Sequence, residues 1–164
     1  MKKEIMYLFL IYIVAIPLFW FGNLMNPSPG SSSGNGNPAI IIMAILLLLF
    51  LTMVYLLVKI ITNYSLKPSV SIFVILIISV HLIVSFLYQR NSFLNHKEVL
   101  ANAYEEQFGY VDWTHIDQIT SFLSMHINAQ YFNLNTYFMF ITLAILISLI
   151  LSFFPQIRRL QFVN

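Results

Sequence analysis

The chain has 164 residues, of which 59% are hydrophobic and only 9% charged, with a mean hydropathy of +0.82 and a formal net charge of +2. Soluble domains carry about 25% charged residues, so this composition excludes an ordinary soluble domain and predicts a protein that lies in a lipid bilayer. The sequence contains no cysteine, which excludes disulfides, thiolate metal sites and cysteine nucleophiles.

Four apolar stretches predict membrane-spanning helices, because each has about the 17–25 residues that cross the hydrocarbon core. They comprise residues 5–22, 39–61, 70–88 and 136–154. The first stretch ends in Trp20 and Phe21, bulky residues that suit a membrane interface and argue against a cleavable signal peptide. Pro155 is expected to end the fourth helix. The sequence therefore predicts an all-α, four-transmembrane-helix bundle that forms a single membrane domain over residues 1–164.

Basic residues in the connections predict the orientation of the chain. When the connections are assigned alternately to the two sides, six basic residues fall on one side and two on the other. The six are Lys2, Lys3, Lys59, Lys67, Arg158 and Arg159, and the two are Arg90 and Lys97. Because basic residues close to spans favour the cytoplasmic side, both termini are predicted to be cytoplasmic.

Three connections join the predicted spans. Residues 23–38 are rich in Gly, Ser, Pro and Asn, which predicts a flexible outer tether. Residues 62–67 form a short inner connection, so spans two and three are expected to be antiparallel neighbours. Residues 89–135 are too many for a structureless loop, which indicates that this outer connection contains helices of its own.

Two amphipathic helices are predicted in the long outer connection. Asn95 followed by Glu98 resembles a capping box, and Gly109 suits a helix end, which together predict a helix over residues 96–108. Thr114 followed by Asp117 indicates the start of a second helix over residues 114–130.

The second predicted helix carries an apolar stripe that needs a surface to cover. The stripe is formed by Ile116, Ile119, Leu123 and Ile127. It could lie on the outer leaflet, on the outer end of the bundle or on a partner. Arg158 and Arg159, interleaved with apolar residues, are expected to anchor the chain on an anionic inner leaflet or to dock a cytoplasmic partner.

His81 is the ionisable side chain predicted to lie well inside a span. An intramembrane ionisable group is costly and suggests a functional site, with Ser85 one turn further on as a hydrogen-bond partner. The alternative interpretation is structural: a neutral histidine that bonds a neighbouring helix and fixes the packing. A functional His81 would line a polar crevice or sense pH.

Other chemistry has little support in the sequence. No metalloprotease, hydrolase or dinucleotide-binding motif is present, and the few basic residues give no nucleic-acid surface. On an intact helix His115 and His126 would lie about 16 Å apart, too far to share a metal ion. No cofactor or metal is therefore predicted.

Three functional hypotheses remain from the sequence. The preferred one is a non-enzymatic accessory subunit or sensor within a larger membrane complex, in a bacterial cytoplasmic membrane. The main rival is an oligomeric channel or membrane-perturbing effector of the toxin-immunity or phage-defence type, by analogy of size and topology. A membrane enzyme whose active site is shared with another chain is a third. The expected partners are the lipid bilayer and either further copies of the chain or other membrane subunits.

Overall fold

A computed structural model gives the protein an all-helical architecture over the residues that it describes, which are 2–31, 36–64 and 66–161, with side chains described as far as residue 153. The helices are α1 (Lys2–Leu24), α2 (Ala39–Tyr64), α3 (Pro68–Phe108), α4 (Trp113–Ile119), α5 (Asn128–Tyr131) and α6 (Leu134–Gln161). A 3₁₀ turn, Met125–Ile127, precedes α5.

Within the described ranges, four helices are long and apolar enough to cross a membrane, namely α1, α2, α3 and α6. Large apolar side chains cover their outward surfaces; Ile41, Leu48 and Phe73, for example, are more than 60% exposed. Such a surface would be strongly unfavourable in water and is ordinary in lipid. The predicted membrane character and the four spanning helices are confirmed at this level.

The set of long helices has two ends, which we call the loop end and the opposite end. At the loop end, α1 ends and α2 and α6 begin; at the opposite end, α1 begins and α2 ends. Glu4 and Lys59 form an ion pair of 2.8 Å at the opposite end, as expected for an antiparallel hairpin of α1 and α2.

Helix α6 is the centre of the packing. It contacts α1, α2 and α3, and an aromatic group around Phe19 of α1 includes Tyr137 and Phe140 of α6, with ring centroids 5.5 and 5.7 Å away. Although the short connection makes α2 and α3 antiparallel, α6 rather than α3 packs along α2 in the described part of the chain.

Helix α3 is one continuous helix of 41 residues. The prediction that a separate helix begins after Asn95 is therefore wrong. Residues 89–95 contain no glycine or proline to stop the helix, and extending a helix costs less than nucleating a new one. The predicted end is confirmed: Gly109 adopts the left-handed conformation, with φ of 80°, and its N–H bonds to Glu105 O.

The second predicted helix, over residues 114–130, is broken into three pieces. Helix α4 begins after Asp112, whose side chain accepts hydrogen bonds from the N–H groups of Thr114 and His115, and it ends at Ile119. Leu123 has a left-handed φ of 65°, which an α-helix cannot include. The hydroxyls of this segment compete with helical hydrogen bonds: Thr120 bonds back to Ile116 O at 2.7 Å, and Ser124 caps the 3₁₀ turn.

Helix α6 begins at a reciprocal cap and passes through a proline. Asn133 and Thr136 exchange hydrogen bonds between their side chains and backbone N–H groups, both at 3.0 Å. The helix then continues to Gln161, so the expectation that Pro155 ends it is wrong. Proline removes one hydrogen bond inside a helix, and here the helix continues on both sides of Pro155.

Candidate functional site

His81 lies between α3 and α6 and is bonded on both ring nitrogens. Its Nε2 is 3.3 Å from Ser85 Oγ, and its Nδ1 is 3.3 Å from Thr142 Oγ1 of α6. Because the Thr142 hydroxyl donates to Phe138 O at 2.8 Å, its oxygen is left to accept from Nδ1–H. This assignment follows from the hydrogen-bond network and leaves Nε2 for the hydrogen bond with Ser85 Oγ.

The same face of α3 continues as a line of polar side chains towards the loop end. The line, which we call the seam, comprises His81, Ser85, Gln89, Ser92 and His96 on α3. Their spacing of three or four residues places them on one face of a helix. Sequence reasoning found its first two members, and the same spacing could have identified the other three.

Gln89 is the centre of the seam. Its Nε2 donates to both Gln130 O and Gln130 Oε1, each at 2.9 Å. Its Oε1 accepts from Asn135 at 3.1 Å and from Asn133 at 3.3 Å. Asn135 also donates to Ser85 O at 3.0 Å, so this one glutamine joins α3, α5 and the start of α6.

His96 forms the last contact of the seam. Its Nε2 is 2.7 Å from His126 O, and because a carbonyl only accepts, Nε2 carries the proton. Ser92 donates to Gln130 Oε1 at 3.1 Å. The seam therefore runs from the middle of a spanning helix to a segment that follows α4.

We call residues 90–119 the arm and residues 120–133 the cap. Within the arm, Lys97 of α3 pairs with Asp117 of α4, and Ile116 packs against Leu100 and Ala101. The cap lies between α3 and the end of α1. Arm and cap together replace the two long amphipathic helices that the sequence predicted.

Asn128 ties the cap to the connection between α1 and α2. It is fully buried, donates to Met25 O at 3.2 Å and exchanges hydrogen bonds with the amide of Asn37 at 2.8 and 3.0 Å. Asn26 Oδ1 accepts from Ala129 N at 3.1 Å. The predicted tether of residues 23–38 is therefore attached through Asn26 and Asn37, while its residues 32–35 lie outside the described ranges.

His126 is a buried member of the cap. Burial lowers the pKa of its imidazole below the ordinary value of 6.5, and the nearby His96 and His115 lower it further. The imidazole is therefore held neutral in the folded cap at neutral pH. Protonation in acid would place a charge in a buried site beside two other histidines.

The residues of the predicted interface stripe do not share one open face. Ile116 and Ile127 are buried within the chain, at 0% and 3% exposed, and Ile119 and Leu123 are half-buried. Ile116 and Ile119 pack in the arm, next to α3. Most of the stripe is therefore covered by other residues of this chain. The side chains of Arg158 and Arg159 lie outside the described residues.

His96 and His115 both lie near enough to His126 to lower its pKa. Even so, no three His, Asp or Glu side chains converge as metal ligands in the described ranges. A mainly apolar depression with a volume of 460 Å³ lies between α1 and the start of α6; it is lined by Ile16, Phe19, Trp20, Asn23, Phe132, Asn133, Leu134 and Tyr137.

No protein-family model, curated protein or solved structure matches this chain.

Proposed function

We propose that this chain is a non-enzymatic membrane protein that acts as a sensor or accessory subunit of a larger membrane complex. In this proposal both termini are cytoplasmic, the arm and cap lie outside, and the membrane is the bacterial cytoplasmic membrane. The excess of basic residues on the predicted inner side supports the orientation, and the cysteine-free outer segment fits the bacterial location.

One observation carries the sensor function: α3 is a single helix that includes both His81 and His96. A rise of 1.5 Å per residue separates these two seam members by about 22 Å. Because the helix is continuous and the seam follows it, a change in how the cap binds His96 can shift α3 against α6 at His81. Packed interfaces of this kind respond by switching between discrete arrangements.

The coupling can be tested by NMR of the protein labelled with ¹⁵N-histidine and reconstituted in nanodiscs, with the His81 signals assigned through His81→Gln. His96→Ala removes the contact to the cap, and we expect the His81 ring signals to shift. His115→Gln is the matched control, since His115 lies in the arm but outside the seam. If His96→Ala leaves His81 unchanged, the sensor function is contradicted.

The orientation has a direct test because the chain contains no cysteine. Asn102→Cys and Asn63→Cys each introduce a single thiol at an exposed position, on the arm and at the end of α2 respectively. A membrane-impermeant maleimide should label Asn102→Cys on intact cells and Asn63→Cys only after lysis. The reverse pattern would overturn the proposed topology.

Membership of a larger complex is tested by purification in mild detergent, followed by measurement of the particle mass. Leu94→Asp and Val99→Asp alter positions on the arm that are 50% and 52% exposed. We expect a second protein in fixed stoichiometry and its loss in these variants. Thr52→Asp, an exposed change on α2, would disturb lipid contact instead and serves as the comparison.

The rival proposal, an oligomeric channel, has less support. A pore between copies needs polar side chains on the outside of each copy, but Ser71, Ser85, Ser148 and Ser152 are all buried within one chain. A symmetric oligomer of this chain alone that conducts ions in liposomes would establish the rival function.

A further inference from the structure

A small pocket lies at the tip of the arm, where α3 ends and α4 begins. It has a volume of 280 Å³ and is lined by Tyr104, Phe108, Tyr110, Asp112 and His115. The left-handed turn at Gly109 reverses the chain, which brings the residues that follow it against the last turn of α3. None of these side chains belongs to the seam.

Aromatic rings form most of the wall of the pocket. The rings of Tyr104 and Phe108 are stacked, with centroids 5.6 Å apart and planes at 28°. The His115 ring meets Tyr104 edge-on at 5.2 Å, and its Nε2 is 3.3 Å from the Tyr104 hydroxyl. Tyr104 also packs against the buried cluster of the arm. The wall is therefore held in place by the fold of the arm.

The charged side chains at and next to the pocket are acidic. Asp112 contributes a carboxylate whose Oδ1 caps α4, accepting from Thr114 N at 2.9 Å and His115 N at 3.2 Å, and no ion pair to it forms among the described residues. Glu105 and Glu106 are exposed on the adjoining turn. The nearest basic residue in the sequence, Lys97, is paired with Asp117.

We propose that this pocket binds a quaternary ammonium group, such as the trimethylammonium group of a small organic cation. Aromatic faces attract alkylated ammonium ions through cation–π interaction, and a carboxylate at the rim adds charge attraction. The volume lies just below the range of about 300–1,000 Å³ that drug-sized ligands occupy, so it suits a single small group. This site does not depend on the sensor function of the seam.

The position of the pocket favours a free cation over a lipid headgroup. Arg90 is the first charged residue after the apolar part of α3, and Tyr104 lies about 21 Å further along the helix axis at 1.5 Å per residue. The headgroup region extends only about 5–8 Å beyond the hydrocarbon on each side. A choline headgroup in the same membrane would therefore lie below the pocket.

The test is calorimetric titration of the full-length protein in phosphatidylglycerol nanodiscs. Choline chloride is the probe, and 3,3-dimethyl-1-butanol, which has the same shape without the charge, is the control ligand. We expect saturable binding of choline and no binding of the alcohol. Equal binding of the two, or no saturable binding of choline, would overturn the proposal.

Two variants locate the binding within the protein. Phe108→Leu removes a ring at a position that is 54% exposed, and Asp112→Asn removes the charge while keeping an oxygen to cap α4. Each should weaken choline binding at least threefold, about the loss of one cation–π contact in Phe108→Leu and of one exposed charge pair in Asp112→Asn. Phe122→Leu, at an exposed position outside the pocket, should bind choline as the unaltered protein does.

Wild-type affinity in both pocket variants would contradict the assigned site. A repeat in phosphatidylcholine nanodiscs separates the two sources of the ligand. Unchanged choline affinity there supports a free cation, whereas suppressed binding means that lipid headgroups reach the pocket, which keeps the trimethylammonium site but overturns its assignment to a free ligand.

Discussion

The α1–α2 hairpin and the α3–α6 pair are joined by different forces. Between α1 and α2 the buried contacts are apolar and close, with Ala15 and Ala39 fully buried next to Phe19. Between α3 and α6 the contacts include hydrogen bonds of the seam, from His81 to Thr142 and from Gln89 to Asn135. In lipid, apolar side chains gain little by leaving the hydrocarbon, so close fit and hydrogen bonds hold helices together. The packing of α1 against α2 therefore depends on the fit of apolar surfaces. The packing of α3 against α6 depends on specific hydrogen-bond partners, which also fix the register of the two helices.

The largest effect is expected from breaking the close fit around α1. A Cβ added at Gly22 would overlap the ring of Phe132, which is 2% exposed and cannot move away freely. Gly22→Ala should lower the free energy of unfolding by about 1–3 kcal/mol, the usual cost of overpacking, measured by chemical denaturation in detergent. Adding Phe132→Leu should restore part of the loss. An unaltered stability of Gly22→Ala would show that this contact is loose.

Removing the amide that joins the cap to the α1–α2 connection should have the next largest effect. Asn128→Ala deletes the side chain that bonds Asn37 and Met25 O, leaving buried polar groups unsatisfied at a cost of about 1–3 kcal/mol. We expect faster hydrogen exchange in residues 124–131 with α2 still protected. Asn102→Ala, an exposed change on α3, is the control. If exchange rises equally throughout, the cap is not a separate unit.

A smaller effect is expected for His81→Leu. Loss of the imidazole leaves Thr142 bonded, because its hydroxyl already donates to Phe138 O, and the Ser85 hydroxyl can form another hydrogen bond. Interhelical hydrogen bonds in membranes contribute about 0.6 kcal/mol on average. Stability should therefore fall only slightly. Normal assembly and normal activity in the complex would contradict a functional His81, whereas lost activity at nearly unchanged stability would support one.

The smallest effect is expected from mild acid and is confined to the cap. Because the pKa of His126 is lowered in the folded state, the unfolded state binds more protons as the pH falls below about 6.5. The free energy of unfolding should therefore decline as the pH falls from 7.5 through the lowered pKa of His126 in the folded state. Thermal unfolding midpoints at pH 7.5 and 5.5 measure this loss, and His126→Gln should reduce it. An equal loss in the variant would assign the effect to another group.

Local signals in the sequence were sufficient for some elements. The four apolar stretches predicted the four helices of spanning length, since the length and hydropathy of a span need no knowledge of its neighbours. Gly109 predicted the end of α3, because a left-handed residue at that position is a property of glycine itself.

Other signals failed because a neighbouring element overrode them. Asn95 and Glu98 resemble a helix start, but the helix from the span simply continues through them. The apolar stripe from Ile116 to Ile127 has helical period, yet Asn128 bonds Asn37 and Met25 across the molecule, and the helix breaks before it. A periodic pattern indicates which residues are buried, but it does not indicate whether one straight helix contains them all.

The sequence by itself determined that the chain suits a membrane, how many helices can span it, and which predicted span has an ionisable residue well inside it. Only the tertiary structure decided what that residue bonds on a neighbouring helix. His81 meets Thr142, 61 positions away, and Gln89 bonds the side-chain amides of Gln130, Asn133 and Asn135. Such partners depend on which helices are neighbours and at what register, and those are properties of the packed molecule that no single segment contains.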